Sequence, residues 1–242
     1  MTKVKVCGIT RLEDAEQATS LGAWALGFLL WKPSKRYVDP GAAELIARRL
    51  RRKIELVGVF VNQPLDDIAG LVEFLGLSHV QLHGDEGPSF CQAVAQRTGA
   101  KVIKAARIGH AADLRDLDRF HTDYHLLDTV ADPGAYGGTG QTWDWTLLKQ
   151  RRNKIPLIVA GGLNPDNVAE AIEATHPWGV DVNSGVESAP GVKDPEKLRA
   201  LFAAVGDHSH APVERGIPEV LVYPPREDDE SARTSVRPRG RR

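Results

Sequence analysis

Cysteine is scarce in this sequence: only Cys7 and Cys91 occur among 242 residues. Two cysteines cannot form a disulfide framework, and their spacing matches no metal-binding motif. No apolar run approaches the roughly 20 residues that a membrane-spanning helix needs, and the first residues lack the apolar stretch of a secretory signal. These absences exclude disulfide-rich secreted proteins and membrane proteins. We therefore expect a cytoplasmic protein with no metal site and no membrane partner.

An excess of charge of one sign is also absent. Lys and Arg together number 31, against 32 for Asp and Glu, and the formal net charge is −1. Since domains that bind nucleic acids usually carry a marked positive charge, no nucleic-acid partner is expected. Hydrophobic residues make up 42% of the chain, which is enough for a sizeable core. The composition thus favours a soluble globular protein.

The sequence changes character near residue 206. Residues 207–242 are rich in proline, serine and clustered charge, and their apolar run is limited to residues 220–223. Such a segment buries too little apolar surface to offset the entropy lost on ordering. We therefore expect one domain over residues 1–206 and a disordered tail over 207–242. The arginines near the end of the tail could contact an acidic partner, or the tail could be solvated with no partner.

Short apolar runs, each followed by a stretch with helical spacing, divide residues 1–206. The eight predicted strands are Lys3–Ile9, Ala23–Leu30, Glu55–Val61, His79–His83, Lys101–Ile108, Tyr124–Thr129, Pro156–Gly161 and Gly179–Val186. Eight βα units in a chain of this length favour an α/β fold of the closed (βα)₈ TIM-barrel type over an open, doubly wound sheet. The turn after the first strand also lacks the glycine-rich pattern of a dinucleotide-binding sheet.

Three sequence patterns predict where helices begin. Thr10 and Glu13 have the spacing of a capping box, in which a hydroxyl oxygen accepts a hydrogen bond from a backbone N–H of the first turn. Asn164 and Asp194 each precede a proline, which is favoured at the first position of a helix. Thr10, Asn164 and Asp194 are therefore predicted to cap three helices.

Polar residues at the C-terminal ends of the strands are the candidates for catalysis, because active sites of this fold lie there. Alternation along the first strand turns Cys7 towards the barrel axis, and alternation along the sixth turns Leu127 outward and Leu126 and Asp128 inward. A cysteine at this place could accept a proton or be a small buried hydrophobe. A partly desolvated carboxyl group could donate a proton or cap the loop that follows.

Glycines at the ends of the seventh and eighth strands predict a phosphate site. Gly161 and Gly162 come shortly before a predicted helix, and Ser184 and Gly185 end the eighth strand. Glycine lets backbone N–H groups approach an anion closely, and helix N-termini favour negative charge. These two loops also bind phosphate in other barrels of this type. The alternative is that the glycines only form tight turns.

Other polar residues are expected at the same end of the barrel. Arg36, in a long loop after the second strand, has a fork suited to a carboxylate or phosphate, although it could be a surface arginine. His83 could carry a proton or make a structural hydrogen bond. Lys5 and Asp181 turn inward on neighbouring strands and should pair, because an isolated charge there would be costly. The glycine-rich loop 131–142 could close over a substrate or remain open to solvent.

Seven motifs, taken in order, resemble those of the phosphoribosylanthranilate isomerase family of tryptophan biosynthesis. They are KVCGITR at residues 5–11, PSKRYV at 33–38, VQLHGDE at 80–86, LLDT at 126–129, GGTGQTWDW at 137–145, AGGLNPDNV at 160–168 and GVDVNSGVESAPGVKD at 179–194. The resemblance extends from about Lys3 to Ala203. The sequence departs from the usual pattern of the family at Lys35, Gln141, Trp143 and Asn183.

The resemblance implies an Amadori rearrangement that needs no cofactor. The small-molecule substrate would be N-(5-phosphoribosyl)anthranilate and the product 1-(2-carboxyphenylamino)-1-deoxyribulose 5-phosphate, in the third step from chorismate to tryptophan. The resemblance makes Asp128 the general acid, Cys7 the general base and Arg36 the ligand of the anthranilate carboxylate. The residues expected to bind substrate are Arg36, His83, Gly161, Gly162, Asp181, Ser184 and Gly185. The protein could be a monomer or a homodimer.

Two other functions are possible from the sequence. The related aminoaldose isomerase of histidine biosynthesis has the same fold but uses aspartates at the ends of the first and fifth strands. Here Cys7 ends the first strand and the fifth ends in KAARIG, which disfavours that activity. A scaffold protein that acts through the arginine-rich tail would require the polar residues at the mouth of the barrel to be accidental.

Overall fold

The structure, a computed structural model, describes residues 1–108, 111–129, 151 and 153–208. Loop 131–142 and residues 209–242 of the expected tail lie outside the described residues. The predicted domain boundary at residue 206 therefore stays a prediction, and the last described helix continues to His208. None of the helices in the described ranges is long and apolar enough to cross a membrane.

Eight parallel strands form a closed barrel in which each strand pairs with the next along the chain and the eighth pairs with the first. The strands are β1 (Lys3–Val6), β2 (Ala25–Leu29), β3 (Glu55–Phe60), β4 (His79–Leu82), β5 (Lys101–Ile108), β6 (Tyr124–Thr129), β7 (Leu157–Val159) and β8 (Gly179–Val182). The predicted (βα)₈ barrel is thereby confirmed. The chain leaves the sheet earlier than predicted after β1 and β8, and the residues released there form part of the mouth of the barrel.

Helices surround the barrel. The described helices are α1 (Leu12–Ser20), α2 (Pro40–Leu50), α3 (Leu65–Leu75), α4 (Pro88–Thr98), α5 (Ala111–Leu117), α6 (Val168–Thr175) and α7 (Pro195–His208). Between β8 and α7 the chain forms a 3₁₀ turn (Ser184–Val186) and an antiparallel hairpin of β9 (Glu187–Ala189) and β10 (Val192–Lys193). This hairpin was not predicted from the sequence.

The three predicted helix caps have different outcomes. Asp194 caps α7 as predicted, because its Oδ1 accepts hydrogen bonds from the backbone N–H groups of Glu196 and Lys197 at 2.9 and 3.2 Å. Asn164 Oδ1 likewise accepts from two backbone N–H groups, but it caps a turn, and α6 begins only at Val168. The prediction for Thr10 is wrong, because its hydroxyl donates to the carbonyl oxygen of Gly191 instead.

The alternation of the strands separates two apolar layers. Inward-facing side chains fill the barrel, and those that are buried are Ala25, Val57, Ile103, Ala105, Leu126, Ile158 and Ala160. Outward-facing side chains such as Val4, Val6 and Leu127 belong to the layer between the sheet and the helices. The predicted inward direction of Leu126 and outward direction of Leu127 are confirmed.

A layer of four aromatic rings lies at the N-terminal ends of the strands. Its members are Trp24, His79, Tyr124 and Trp178, and each stands at or just before the start of an even-numbered strand. Centroids of neighbouring rings lie 4.8 to 5.7 Å apart. Side chains from alternate strands are the usual way in which such a barrel is filled. The four rings, which we call the ring layer, fill the barrel at this end.

Two buried histidines predict a loss of stability in acid. Burial lowers the pKa of both His79 and His125 to about 4. Because each histidine binds its proton more readily when unfolded, stability should fall as the pH drops from about 6.5 towards 4, with a loss of about 2 kcal/mol per histidine by pH 5. Urea unfolding at pH 7 and 5 measures this loss of stability, which should be smaller in His79→Phe than in the wild type. His121→Gln, which changes an exposed histidine, is the control and should lose as much stability as the wild type. Equal losses in the wild type, His79→Phe and His121→Gln would contradict the prediction.

Candidate active site

A cavity of about 620 Å³ opens at the C-terminal ends of the strands, at the end of the barrel opposite the ring layer. The predicted site residues that line it are Cys7, Arg36, His83, Asp128, Gly161, Gly162, Asp181 and Ser184. Gly185 lies behind this lining, against Leu163. The structure therefore brings together residues that the sequence places in six different βα units.

The Cys7 thiol lies in the wall of the cavity beside a buried ion pair. Cys7 directly follows β1 and is 4% exposed. Lys5 Nζ donates a hydrogen bond to Asp181 Oδ1 at 2.9 Å, across the β1–β8 register that sets the two residues opposite each other. The predicted pairing of these residues is confirmed. Burial raises the pKa of the Cys7 thiol, and the nearby Lys5 ammonium group only partly opposes this effect.

Gly27, on β2, makes room for this cluster. A Cβ atom at Gly27 would lie 2.7 Å from Cys7 Sγ and 3.1 Å from Lys5 Nζ. The thiol and the ammonium group therefore both pack against the backbone of β2 where a side chain is missing. Sequence reasoning did not identify Gly27, because a glycine within an apolar strand carries no chemical signal of its own.

Asp128 is part of a hydrogen-bonded chain with two residues of β4 and the turn after it. His83 Nε2 lies 3.2 Å from Asp128 Oδ2, and Gln81 Nε2 lies 2.7 Å from His83 Nδ1. Because the Gln81 amide donates to Nδ1, the imidazole proton belongs on Nε2 and is donated to Asp128. The Asp128 carboxylate is thus held by a side chain from the turn after β4, and no described residue forms a hydrogen bond with its Oδ1.

The glycine loops after β7 and β8 lie against each other. Gly161 and Gly162 have φ angles of 89° and 64°, which favour glycine, and Asn167 Nδ2 donates to the carbonyl oxygen of Gly162 at 3.0 Å. A side chain at Gly185 would collide with the carbonyl oxygen of Leu163. The backbone N–H groups of Gly162, Ser184 and Gly185 donate to no other residue in the described part of the chain. These groups can donate hydrogen bonds to an anion such as phosphate.

The Arg36 guanidinium group forms an ion pair with the carboxylate of Glu187, a residue that sequence reasoning missed. Arg36 Nε lies 2.9 Å from both carboxylate oxygens of Glu187, and Nη2 lies 2.8 Å from Oε2. Lys193 Nζ lies 2.9 Å from Glu187 Oε1. Burial tends to raise the pKa of Glu187, but hydrogen bonds from Arg36 and Lys193 outweigh it and lower that pKa. Glu187 is therefore ionised, and the guanidinium group has a fixed orientation.

An apolar wall forms another part of the cavity. It consists of Leu29 and Trp31 at the end of β2 and of Val59 and Val61 at the end of β3, all of which line the cavity. Such a surface suits an aromatic ring whose carboxylate reaches Arg36. Sequence reasoning missed these four residues, since apolar residues near a strand end resemble those of the core.

Comparison with known families identifies the family to which the chain belongs. The family model described as N-(5'-phosphoribosyl)anthranilate (PRA) isomerase matches residues 4–204. The chain belongs to the phosphoribosylanthranilate isomerase family. It is 47% identical over 205 residues to an isomerase of this family from Syntrophus aciditrophicus, with 85% of this chain and 87% of the relative covered. For the relative from Citrifermentans bemidjiense the identity is 46% over 203 residues, with 84% and 96% covered.

Solved structures of phosphoribosylanthranilate isomerases have the same fold. The enzyme from Thermotoga maritima superimposes with a TM-score of 0.77 at 38% identity, covering 86% of this chain and all (100%) of that one. A complex of a phosphoribosylanthranilate isomerase with reduced 1-(o-carboxyphenylamino)-1-deoxyribulose 5-phosphate superimposes with a TM-score of 0.74 at 37% identity, with 86% and 100% covered.

Membership of the family establishes the reaction. This chain is a phosphoribosylanthranilate isomerase of tryptophan biosynthesis. This assignment takes the place of the two alternatives from the sequence, which were the histidine-pathway isomerase and the scaffold protein.

Proposed function

We propose that this chain isomerises N-(5-phosphoribosyl)anthranilate through proton transfers at Asp128 and Cys7, with binding groups for one anion on each side of them. The observation that carries the proposal is the composition of a single cavity: a thiol and a carboxyl group face it, together with Arg36 and the glycine loops. The substrate has a carboxylate at one end, a phosphate at the other and the reacting sugar between them. The reaction opens the sugar ring and transfers protons within one molecule, without an external oxidant or reductant, so the proposed steps invoke no cofactor.

Asp128 starts the reaction as the general acid. It gives a proton to the ring oxygen of the furanose, the bond between that oxygen and C1 breaks, and a protonated imine forms between C1 and the anthranilate nitrogen. His83 donates to Asp128 Oδ2, so the transferred proton would be carried on Oδ1. The contact with His83 also fixes the direction in which the carboxyl group points.

Cys7 completes the rearrangement as the general base. Its thiolate takes the proton from C2, which converts the imine into an enolamine that tautomerises to the ketone. The thiolate is the basic form of cysteine, and the Lys5 ammonium group next to it favours that form. Cys7 and Asp128 come from β1 and β6 and so approach the sugar from different sides of the cavity.

The Arg36 guanidinium group would bind the anthranilate carboxylate while the apolar wall holds the ring. Since this contact would exist in the substrate complex as well as in the transition state, its loss should act on KM. A coupled fluorescence assay, in which a transferase forms the labile substrate from anthranilate and phosphoribosyl pyrophosphate, follows the decay with and without this protein. Arg36→Ala should raise KM by about 10- to 100-fold with little change in kcat. An unchanged KM would contradict the role of Arg36.

The glycine loops would bind the phosphate through backbone N–H groups. Gly185→Ala places a methyl group against the Leu163 carbonyl, so the two loops must move apart and the N–H groups lose their common direction. We expect inorganic phosphate to bind this variant at least about tenfold more weakly as a competitive inhibitor. Gly70→Ala on α3, where no described residue lies within 4 Å of the added Cβ, is the matched control. Equal inhibition constants for both variants would count against a phosphate site here.

The assembly and location expected from the sequence belong to the same proposal. A relative from Thermotoga maritima is described as a dimeric phosphoribosylanthranilate isomerase from which monomers were generated, which supports a monomer or a homodimer here. The substrate carries a carboxylate and a phosphate and does not cross membranes unaided, which fits a cytoplasmic enzyme. Light scattering on the purified chain measures the state of assembly.

A further inference from the structure

The hairpin that follows β8 carries a buried ion pair that contacts both Arg36 and the phosphate loop. Glu187 on β9 and Lys193 on β10 form this pair, and their side chains are only 5% and 0% exposed. The hairpin is itself anchored to the first βα unit, because the backbone N–H of Lys193 donates to Asp14 Oδ2 at 3.0 Å and the Thr10 hydroxyl donates to the Gly191 carbonyl. The pair therefore has a fixed place relative to β1.

The carboxylate of the pair holds Arg36. Three contacts of 2.8 to 2.9 Å join the Nε and Nη2 edge of the guanidinium group to both oxygens of Glu187. Two residues 151 positions apart in the chain are joined in this way. A guanidinium group bound along one edge loses its rotational freedom, so its remaining edge has a set direction before any substrate binds.

The ammonium group of the pair holds the phosphate loop. Lys193 Nζ donates to the carbonyl oxygen of Asn183 at 3.2 Å and to Asn183 Oδ1 at 3.0 Å. Asn183 directly precedes Ser184 and Gly185, whose N–H groups belong to the proposed phosphate site. Fixing the Asn183 carbonyl fixes the peptide plane that contains the N–H of Ser184.

The charges of this cluster do not balance. Arg36 and Lys193 are two cations, and within the described residues Glu187 is the one carboxylate within 4.0 Å of either of them. One positive charge is therefore left at the edge of the cavity, in a partly desolvated place where an anionic ligand is favoured.

We propose that the Glu187–Lys193 pair is a positioning device that sets the direction of Arg36 and of the phosphate loop together, and thereby fixes the distance between the two anionic ends that a substrate must have. The inference rests on the proposed function of Arg36 and of the glycine loops. Neither residue touches the reacting atoms. Each acts through another group, Glu187 through Arg36 and Lys193 through both Glu187 and Asn183.

The two residues should have different effects on the two ends of the substrate. Glu187→Gln keeps the shape of the side chain but removes the charge that orients Arg36. It should weaken the binding of anthranilate, used alone as an inhibitor, by about tenfold and leave the inhibition constant of inorganic phosphate within about twofold. Lys193→Met should weaken the binding of both anthranilate and inorganic phosphate. In both variants KM should rise while kcat changes little, because the acid and the base remain in place.

A double variant separates positioning from a merely structural role. If Glu187 acts through Arg36, then Glu187→Gln should have no further effect on anthranilate binding once Arg36→Ala is present. Glu16→Gln, which alters an exposed ion pair between α1 and Arg49 of α2, is the matched control and should change no constant. If Glu187→Gln fails to fold by circular dichroism, Glu187→Asp provides the same comparison with the charge retained at a shorter reach.

The outcomes distinguish this inference from the proposed function. Anthranilate binding that is insensitive to Arg36→Ala would overturn the role proposed for Arg36 itself. Binding that is weakened by Arg36→Ala but not by Glu187→Gln would overturn only the positioning role. Additive effects of Arg36→Ala and Glu187→Gln would do the same, because they would show that Glu187 acts elsewhere. We expect Lys193→Met to weaken phosphate binding and Glu187→Gln to leave phosphate binding unchanged.

Discussion

Cys7→Ala and Asp128→Asn should each lower kcat by about 10² to 10⁴-fold, because each removes one of the two proton-transfer groups. The folded structure should survive, since the first change only shortens a small side chain and the second keeps the shape of the carboxyl group. The coupled assay measures kcat, and circular dichroism checks the fold.

Matched controls for both variants exist in the same chain. Cys91→Ala removes a second buried thiol, which lies in α4 away from the cavity, and Asp67→Asn alters an exposed carboxylate of α3. Both should keep the full rate. A Cys7→Ala enzyme as active as Cys91→Ala would remove the role of general base from Cys7.

The same thiol predicts how the reactivity of Cys7 depends on pH. Burial raises the pKa of Cys7, so the thiol form persists to a higher pH than in an exposed cysteine. In the Cys91→Ala protein, the rate at which iodoacetamide alkylates Cys7 should therefore still rise with pH between about 7 and 9. An alkylation rate that is constant over this range would contradict the raised pKa of Cys7.

Lys5→Met should destabilise the fold strongly, by about 3–5 kcal/mol, because it leaves the Asp181 carboxylate buried without its partner. Urea unfolding measures the loss. The double variant Lys5→Met with Asp181→Leu should recover most of the stability, since it removes both charges together. A Lys5→Met protein as stable as the wild type would contradict the existence of the ion pair in solution.

Lys5→Met should also move the pH profile of Cys7 alkylation, and this effect separates its two roles. Without the ammonium group the pKa of Cys7 should rise further, and the increase in the alkylation rate should begin at a higher pH. Lys104→Met breaks another buried ion pair, in which Lys104 Nζ lies 3.0 Å from Glu86 Oε2. This control should lose similar stability but keep the wild-type onset of the pH profile.

Local alternation was sufficient to predict much of the barrel and of its mouth. The period of two along β1 and β8 indicated that Lys5 and Asp181 point inward, and closure of the barrel then made them neighbours. The same argument directed Cys7 and Asp128 into the cavity. These predictions succeeded because each depends on the position of a residue within its own strand.

Contacts between distant loops could not be predicted in this way. Glu187 lies outside the barrel strands, in a hairpin that has no strong sequence signal, and its partner Arg36 is far away along the chain. The Thr10 prediction failed for a related reason: a hydroxyl suited to a helix cap is instead used by the Gly191 carbonyl, which only the folded chain brings near. Local sequence patterns predict the direction of a side chain within its strand, whereas its hydrogen-bond partner depends on which segments the whole fold brings together.

The ring layer has a consequence for traffic through the protein. Because the ring layer fills the far end of the barrel, substrate must enter and product must leave through the same mouth. The product must therefore dissociate before the next substrate molecule can bind, and nothing passes through the barrel from one end to the other.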